Sequence, residues 1–365
     1  MPGLDHVRSL LPGVRLARAE RLGGSGRSEV VRVRAQWPEQ PETSLIVKTF
    51  SGSGEGWVRE SAALSVLPDE TPACRLVTES AQPQTVVLGD LGRGGSIADA
   101  LLGDDPQAAT QSVVSWASAV GAVHRATVGT QDRFRAAVRA RAGELPVSHT
   151  AMSGALADAA AQLEQQCADL ELAVPPGALR ALRELARRLG DDNCALTPGD
   201  TCPDNNVIVD DAVHLIDFEG AEWRHVAWDV AYLSVPWPSC WCSWRIPGEV
   251  ADRAVERYRA TVEDTLPYVR TAQFRRDVAD AATGWALISS AWFLPRALGD
   301  DPPPETHERP TPKRRPLILH RLDAARRNEN LPELAELAAR LRAELVTRWG
   351  EPVLAFAPAF EDRSL

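Results

Sequence analysis

The pattern of apolar and polar positions changes near residue 93. Before it, apolar and polar residues alternate over short runs bounded by Gly, Pro and Ser, which is typical of β-strands. After it, apolar residues recur every three or four positions, which favours helices. The predicted N-terminal elements are a short amphipathic segment at 5–11, strands at 14–22, 29–36 and 44–50, a helix at 57–67, and strands at 75–78 and 85–88.

The second part of the chain is predicted to be mainly helical, with one β-hairpin at 206–216 whose turn is Asp210-Asp211-Ala212. Residues 299–316 contain six prolines and mixed charge, so we predict a surface loop there and a candidate lid. The predicted helices are 96–102, 107–127, 155–172, 176–189, 251–263, 271–294 and 332–349. We therefore expect an α+β protein with a β-rich lobe, residues 1–91, and a helical lobe, residues 92–365.

Composition excludes several functional classes. The 365 residues are 44% hydrophobic and contain no apolar run long enough to cross a bilayer, so we expect a soluble protein without a membrane partner. The net charge of −10 argues against a nucleic-acid partner, because a protein that neutralises phosphates carries excess Lys and Arg. The N-terminus lacks the charged start and apolar segment of a signal peptide, which indicates a cytoplasmic protein.

The charged residues are unevenly distributed. Residues 90–250 carry 22 Asp and Glu against 12 Lys and Arg, while the segments on either side are balanced. This excess indicates either an acidic cleft for a cation or metal-nucleotide, or simply a solvated surface. Only Lys48 and Lys313 are lysines, and the other 38 basic residues are arginines. A lysine within an apolar strand, as at position 48, is therefore conspicuous.

The six cysteines show no paired CxxC spacing. Cys202 with Cys240 and Cys242 could form a metal or redox site, but no His stands at a ligand-like spacing beside them. Buried, reduced thiols are the favoured interpretation. The cysteines occupy positions 74, 167, 194, 202, 240 and 242.

Three side chains suited to phosphoryl transfer surround the predicted hairpin. Asp200 and Asn205 precede its first strand and Asp217 ends its second, so two short strands bring them together. Phosphoryl transfer uses one carboxylate to deprotonate the attacking hydroxyl, and a carboxamide and a second carboxylate to hold Mg²⁺ at the phosphates. Asp and Asn are also common in ordinary turns, which would be the favoured interpretation of this loop alone.

Two further features fit a nucleotide site. Lys48 lies in the strand 44–50 and Glu60 on the next helix, so they can form an ion pair that fixes a cation for the phosphates. The alternative is an edge-strand Lys and an ordinary surface Glu. The Gly-rich segment after the first strand either brings backbone N–H groups to phosphates or forms a plain hairpin turn. Its candidate phosphate-binding residues are Gly23, Gly24, Ser25 and Gly26.

In this order, the motifs resemble those of the aminoglycoside phosphotransferase and choline-kinase-like superfamily. The resemblance spans residues 14–240 and lies in the segments 22–29, 46–48, 58–60, 87–91, 121–128, 196–219 and 225–231. It implies a bilobal protein-kinase-like fold with a small antiparallel N-lobe sheet carrying one helix. It also implies a larger, mainly helical C-lobe with the catalytic loop at 196–219 and acceptor-binding helices.

The resemblance also implies roles for individual residues. Asp200 would be the catalytic base, and Asn205 and Asp217 would bind Mg²⁺. Lys48, held by Glu60, would contact the phosphates of ATP or GTP. An interlobe hinge would bind adenine through its backbone, at Gly89, Asp90 and Leu91. In the same comparison His124 is interpreted as a packing residue and Asp229 as a structural carboxylate.

At Pro198 the sequence departs from the superfamily, which usually has His two residues before the catalytic Asp. Loss of the His implies either a subfamily with a rigid loop or a weakened, even inactive, kinase. The active alternative is favoured because the other expected polar residues are all present. They are Lys48, Glu60, Asp200, Asn205 and Asp217.

The leading hypothesis is an ATP-dependent O-phosphotransferase that acts on a hydroxyl of an aminoglycoside or another antibiotic. Glu219, Glu222 and Asp204 would attract a cationic acceptor. Tryptophans at 223, 228, 237, 241 and 244 either stack on the acceptor or, as favoured, belong to the core. The alternatives are a kinase of choline, homoserine, methylthioribose or an amino sugar, and a nucleotide-binding pseudokinase. A protein kinase is least favoured, since no Ala-Pro-Glu segment follows Asp217.

Overall fold

A five-stranded antiparallel sheet forms the N-terminal part of the protein. The structure, a computed structural model, describes residues 2–147, 151–299 and 309–361. The sheet order is β1-β2-β3-β5-β4. Its elements are α1 (Pro2–Leu10), β1 (Arg15–Ser25), β2 (Ser28–Gln36), β3 (Thr43–Phe50), α2 (Glu55–Val66), β4 (Leu76–Ala81) and β5 (Gln84–Gly89). The predicted element order is confirmed.

Alternation along β3 distributes its side chains over the two faces of the sheet. Leu45 and Val47 are buried with Val7 of α1 in a small apolar core on one face. Ile46 packs against the main core on the other face, and Lys48, two residues on, shares that face. An otherwise apolar strand therefore delivers one amine to the inner side of the sheet, where its side chain is 7% exposed.

The C-terminal part is mainly helical and surrounds one large apolar core. Two-stranded sheets, β6 with β9 and β7 with β8, interrupt the helices. The elements are α3 (Ile97–Leu102), α4 (Pro106–Thr127), α5 (Gln131–Ala142), α6 (Met152–Asp169), α7 (Ala178–Leu189), β6 (Cys194–Thr197), β7 (Asn206–Val209), β8 (Ala212–Leu215), β9 (Glu222–His225), α8 (Ala227–Val230), α9 (Gly248–Val262), α10 (Ala272–Leu298), α11 (Arg314–Ala325) and α12 (Pro332–Trp349). Together with the antiparallel sheet, they confirm the α+β fold class.

Periodicity did not predict every helix. On α5 only Phe134 and Val138 are buried, and two apolar residues make too weak a stripe for a periodic signal. Helix α11 begins at Arg314, inside the segment 299–316 that was predicted as a loop, because its Pro residue lies in the first turn, where proline is tolerated. Residues 309–313 have no regular secondary structure, as predicted, and residues 300–308 of the candidate lid lie outside the described residues.

The short strands β6 and β9 were also missed. Each has only four residues, and nearly every side chain in them is buried, so neither shows the alternation of a half-exposed strand. The hairpin β7–β8 was predicted correctly. Its turn residues Asp210 and Asp211 have φ of 48° and 62°, the left-handed conformation that two-residue hairpin turns require.

The Gly-rich segment at 23–28 is less open than predicted. Strand β1 extends through Ser25, and Gly23 and Gly24 pair with residues of β2. Only Gly26 and Arg27 separate the two strands. Glycine in an extended strand gives no alternation signal, so the sequence pattern could not separate this end of the strand from a loop.

No helix in the described part of the chain is both long and apolar enough to span a bilayer.

Close packing between α10 and α8 leads to a first prediction. A Cβ added at Gly284 of α10 would lie 2.6 Å from the ring of Trp228 and 2.9 Å from Leu185. Because Trp228 is almost completely buried, Gly284→Ala is expected to lower the free energy of unfolding by about 1–3 kcal/mol, measured by chemical denaturation. Gly154→Ala on α6, where no atom lies within 4 Å, should instead stabilise the protein by up to about 1 kcal/mol. Equal effects of the two substitutions would contradict this packing.

Candidate active site

Lys48 is the centre of a buried group of charges, here called the Lys48 cluster. Its Nζ lies 2.6 Å from Glu60 Oε2, 2.6 Å from Asp217 Oδ1 and 3.1 Å from Glu219 Oε2. Burial alone lowers the pKa of Lys48, but the three carboxylates more than offset that effect, so its pKa is raised and the amine stays charged. The structure thus brings Lys48 together with Glu60, and adds Asp217 and Glu219 to the pair.

The β7–β8 hairpin places Asn205 beside Asp217. Asn206 pairs with Leu215 at the open end of the hairpin, and the amide of Ile216 donates to the Asn205 carbonyl oxygen at 3.1 Å. Asp217 follows directly with a φ of 63°, a left-handed conformation that is uncommon for a residue other than glycine. The two candidate metal ligands are therefore neighbours because of the strand register.

Asp200 is half-buried next to a hydroxyl network. Its Oδ1 accepts a hydrogen bond from Ser239 Oγ at 2.8 Å, and Ser239 Oγ lies 2.9 Å from the Tyr232 hydroxyl. Asn205 Nδ2 donates to the main-chain carbonyl of Asp200 at 3.0 Å. Burial raises the pKa of Asp200 above its ordinary value, although hydrogen bonds from Cys202 and Ser239 oppose this. A carboxylate with a raised pKa is a better proton acceptor near neutral pH.

The backbone that precedes Asp200 is anchored by Asp229, which is completely buried. Thr197 Oγ1 donates to Asp229 Oδ1 at 3.0 Å and accepts from the Gly199 amide at 3.1 Å. The second oxygen of Asp229 lies 3.0 Å from His124 Nε2, and Arg224 forms an ion pair with the first. Burial raises the pKa of Asp229, but Arg224 and His124 outweigh it and lower this pKa to about 2.

Thr197 therefore fixes this loop although Pro198 stands where the superfamily usually has His. Gly199 has a φ of 86°, and a Cβ there would lie 1.9 Å from the Gly220 carbonyl oxygen. Only glycine fits at this position. The segment that leads to Asp200 and the segment that follows Asp217 consequently pack backbone against backbone.

A cavity of about 580 Å³ contains the Lys48 cluster residues Lys48, Glu60, Asp217 and Glu219 in its lining. The apolar side chains of Leu22, Ile46 and Leu88 also line it. From the Gly-rich segment, Gly23 lines this cavity, while Gly24 and Ser25 lie in β1 and Gly26 lies in the turn.

All three hinge residues predicted from the resemblance line the same cavity. The amide of Gly89 donates to the carbonyl of Arg75 at 2.8 Å, so this N–H is engaged within the protein. The carboxylate of Asp90 accepts a hydrogen bond from Arg32 Nε at 2.6 Å. Burial raises the pKa of Asp90, but the hydrogen bonds from Arg32 and other neighbours outweigh burial, so the pKa is lowered.

A second cavity, of about 530 Å³, adjoins the first. Asp200, Asn205, Ser239 and Trp241 line it. Four residues line both cavities, namely Arg27, Asp204, Asp217 and Glu219. The two cavities therefore meet at Asp217, with the Lys48 amine on one side and the Asp200 carboxylate on the other.

One prediction about the second cavity needs correction, and one favoured interpretation holds for most of its residues. Glu222 is not on its rim: the side chain is buried, and pairs with Arg224 at 2.8 Å and with the amide of Met152 at 3.1 Å. The tryptophans contribute one ring, because only Trp241 lines the cavity, where its Nε1 donates to Asp204 Oδ2 at 2.7 Å. The others are buried or packed against the main core, as favoured, at Trp223, Trp228, Trp237 and Trp244.

Sequence reasoning missed Ser239 and Thr197. Ser239 lies 39 residues beyond Asp200 in a segment without regular structure, so no local pattern connects the two. Thr197 is the last residue of the buried strand β6. Its position three residues before Asp200 is the sequence signal that could have identified it. The contact of Glu219 with Lys48 was likewise not foreseen.

Comparison with known proteins defines the fold. No known family profile matches the chain, and no curated protein matches it in sequence. The solved structure of an ethanolamine kinase from Plasmodium vivax superposes with a TM-score of 0.51 at 12% identity, over 88% of this chain and 85% of that one. At this identity the likeness concerns the fold, and the chain has the bilobal protein-kinase-like fold expected from its sequence.

Two further structures are similar over most of their length. A choline kinase from Cryptosporidium parvum gives a TM-score of 0.49 at 9% identity, over 94% of this chain and 96% of that one. A macrolide 2′-phosphotransferase from Brachybacterium faecium gives 0.47 at 17% identity, over 89% and 97%.

The anchoring role of Thr197 is testable. Thr197→Val removes the hydroxyl that joins Asp229 to the Gly199 amide, and is expected to cost about 1–3 kcal/mol of unfolding free energy because two buried groups lose a partner. Thr197→Ser keeps the hydroxyl and should be clearly more stable than the valine variant in denaturant titrations. If Val and Ser behave alike, the hydroxyl does not anchor the loop.

Burial of Asp200 predicts a pH-dependent stability effect. A carboxyl whose pKa is higher in the folded than in the unfolded state destabilises the protein as pH rises above the unfolded value of about 3.9. Asp200→Asn removes that ionisation, so its melting temperature should exceed that of the wild type at pH 7, and the difference should shrink toward pH 4. Asp211→Asn, in an exposed turn, removes the same charge without burial and should show no such trend. A melting temperature for Asp200→Asn at or below wild type at pH 7 would refute the argument.

Proposed function

We propose that this protein is a small-molecule kinase of the aminoglycoside phosphotransferase and choline-kinase-like superfamily, which transfers the γ-phosphate of ATP to a hydroxyl group. The observation that carries the proposal is the junction of the two cavities at Asp217, with Lys48 on one side and Asp200 on the other. Transfer between two bound substrates needs such a junction, because the attacking oxygen must approach the phosphorus in line. We place the lobe boundary at residue 91, at the end of the hinge.

The first cavity suits a nucleoside triphosphate, ATP or GTP. Its apolar side chains Leu22, Ile46 and Leu88 offer surfaces for a purine ring, and its volume is in the usual range for ligand pockets. The amine of Lys48 is held in place by carboxylates from separate elements, so it presents a positioned positive charge to the phosphate oxygens.

The residues present also fit Mg²⁺. Asn205 and Asp217 offer carboxamide and carboxylate oxygens, the donors that this ion prefers. The amide nitrogen of Asn205 is engaged with the Asp200 carbonyl, which fixes the side chain and makes its oxygen the ligand atom. When bound there, Mg²⁺ would supply positive charge to neutralise the transferring phosphoryl group.

Asp200 is the proposed base. Its carboxylate lines the second cavity, its orientation is fixed by the hydrogen bond from Ser239, and its raised pKa suits proton acceptance. It would orient the acceptor hydroxyl and receive its proton as the phosphorus–oxygen bond forms. Lys48, on the nucleotide side, would stabilise the negative charge on the leaving diphosphate.

The proposed acceptor is a cationic compound with a free hydroxyl, most simply an aminoglycoside or another aminated antibiotic. The charged residues that line the second cavity are five carboxylates and two arginines, and this excess of negative charge favours a cation there. They are Glu55, Asp200, Asp204, Asp217 and Glu219, with Arg27 and Arg59. Trp241 adds one aromatic surface for a sugar ring. The same features suit choline or an amino sugar, and homoserine and methylthioribose would use the same machinery.

A nucleotide-binding module without turnover is the alternative that Pro198 raises. The anchoring of the loop by Thr197 and Asp229 favours the active enzyme, because it orders the backbone before Asp200 without a His.

The proposal is tested by measuring ADP release from ATP and Mg²⁺ with aminoglycosides, nucleoside and peptide antibiotics, choline and amino sugars. We expect turnover that depends on the acceptor. Asp200→Asn should lower the turnover rate by about 10²-fold or more. ATP affinity should be nearly unchanged, because Asp200 lines the second cavity and not the first.

Asp211→Asn in the exposed hairpin turn serves as the matched control and should keep full activity. If Asp200→Asn instead abolishes ATP binding, the role given to Asp200 is wrong. ATP binding without turnover across the whole panel would support the nucleotide-binding module.

A further inference from the structure

Three thiols and one carboxylate meet in the wall of the second cavity. Ligand atoms of Cys202, Asp204 and Cys240 all lie within 4.8 Å of one another. Cys242 lies outside this group of three but next to it, because its Sγ is 3.4 Å from Cys240 Sγ, and Cys240 Sγ is also 3.4 Å from Asp204 Oδ1. The four residues together are called the thiol cluster below. The phosphotransfer chemistry proposed above gives these sulfur atoms no catalytic role, although the Cys202 thiol hydrogen-bonds to Asp200.

The backbone explains why residues distant in sequence converge. Cys202 and Asp204 belong to the loop after Asp200, whereas Cys240 and Cys242 lie on the segment after α8. Ser243 Oγ closes that segment by donating to the Trp237 carbonyl at 2.8 Å and to the Cys240 carbonyl at 2.5 Å. This turn brings the two sulfur atoms of the Cys240-Trp-Cys242 sequence to the same side.

A buried cation lies behind the thiol cluster. Arg321 of α11 is completely buried, and its Nη2 donates to Ser243 Oγ at 3.1 Å and to the Trp237 carbonyl at 3.3 Å. Its Nε and Nη1 have no hydrogen-bond partner among the described residues, and its guanidinium lies 5.3 Å from the centre of the Phe293 ring. Burying a guanidinium without an anion costs desolvation free energy, and a negative charge near Arg321 would reduce that cost. Burial lowers the pKa of Arg321, and Cys240 and Cys202 are the groups that oppose this most.

We propose that Cys202, Cys240, Cys242 and Asp204 bind a thiophilic divalent metal ion of the zinc class. Three thiolates and one carboxylate around a divalent ion give a net charge of −2, which Arg321 partly compensates. Sulfur ligands at about 2.3 Å from a tetrahedral Zn²⁺ are about 3.8 Å apart, so the observed 3.4 Å separation needs only a small adjustment. On binding, each thiol releases its proton to solvent and forms a metal–sulfur bond, with no change in oxidation state.

The carboxylate and the access route fit this site. Trp241 Nε1 donates to Asp204 Oδ2, which holds the carboxylate with its other oxygen toward Cys240, as partners of metal ligands commonly do. Cys202, Asp204 and Cys240 all line the second cavity, so an ion can enter from there. The two sites differ in the metal they prefer, because the thiol cluster offers soft sulfur donors, whereas Asn205 and Asp217 offer oxygen atoms that suit Mg²⁺.

The test uses reduced, metal-free protein titrated with Co²⁺ in the presence of excess Mg²⁺. We expect one equivalent to bind with thiolate-to-cobalt charge-transfer absorption, release of protons to a pH indicator, and displacement by Zn²⁺. Cys240→Ala and Cys202→Ala should each weaken binding by at least tenfold. Arg321→Met, which removes the compensating charge, should weaken it by about 10–100-fold.

Cys167→Ala is the matched control, because this thiol is buried in α6 outside the thiol cluster, and it should leave Co²⁺ binding unchanged. Melting curves identify any variant that fails to fold, and Cys242→Ala then tests the same ligand set. The inference is overturned if the wild type shows no charge-transfer absorption, if excess Mg²⁺ abolishes binding, or if folded Cys240→Ala and Cys202→Ala bind like the wild type. None of these readouts depends on phosphotransfer activity.

Discussion

Burial of a single amine organises the cleft of this protein. Removing an ammonium group from water costs several kcal/mol unless carboxylates replace the lost solvation at hydrogen-bond distance. For Lys48 those carboxylates come from α2, in Glu60, and from the segment after β8, in Asp217 and Glu219. The sheet, the helix and the hairpin must therefore adopt one relative arrangement for the charge to be tolerated. The cleft is specified by electrostatics as well as by apolar packing.

A second buried charge, of opposite sign, orders the other half of the site. Asp229 receives its partners from α4, β6 and β9, through His124, Thr197 and Arg224. None of these contacts reaches a substrate cavity. Their combined effect is to determine where the backbone turns before Asp200, which in turn sets the direction of that carboxylate. The site thus depends on two charge networks, one that joins the two parts of the chain at Lys48 and one within the C-terminal part at Asp229.

The sequence predicted the parts of the site that local patterns encode. The sequence predicted that Lys48 in the third strand could pair with Glu60 on the next helix, and that a short hairpin would bring Asn205 to Asp217. The remaining parts depend on contacts between distant segments. The hydrogen bond from Ser239 to Asp200 spans 39 residues, and the expectation of an exposed Glu222 was wrong because β9 buries that side chain. Solvent exposure of a single polar residue follows from the assembled fold, which periodicity does not reveal.

The backbone contact between Gly199 and Gly220 has a consequence for how this protein can diversify. At Gly199 the two main chains touch without room for a Cβ, so this position cannot accept a side chain and the backbone before Asp200 is closed to gradual change. Other lining residues of the second cavity, Ser51, Ser53 and Glu55, lie on a different segment, between the end of β3 and the first turn of α2. Side-chain changes there can reshape the cavity while the backbone before Asp200 stays in place, a separation of fixed and variable parts within one small cleft.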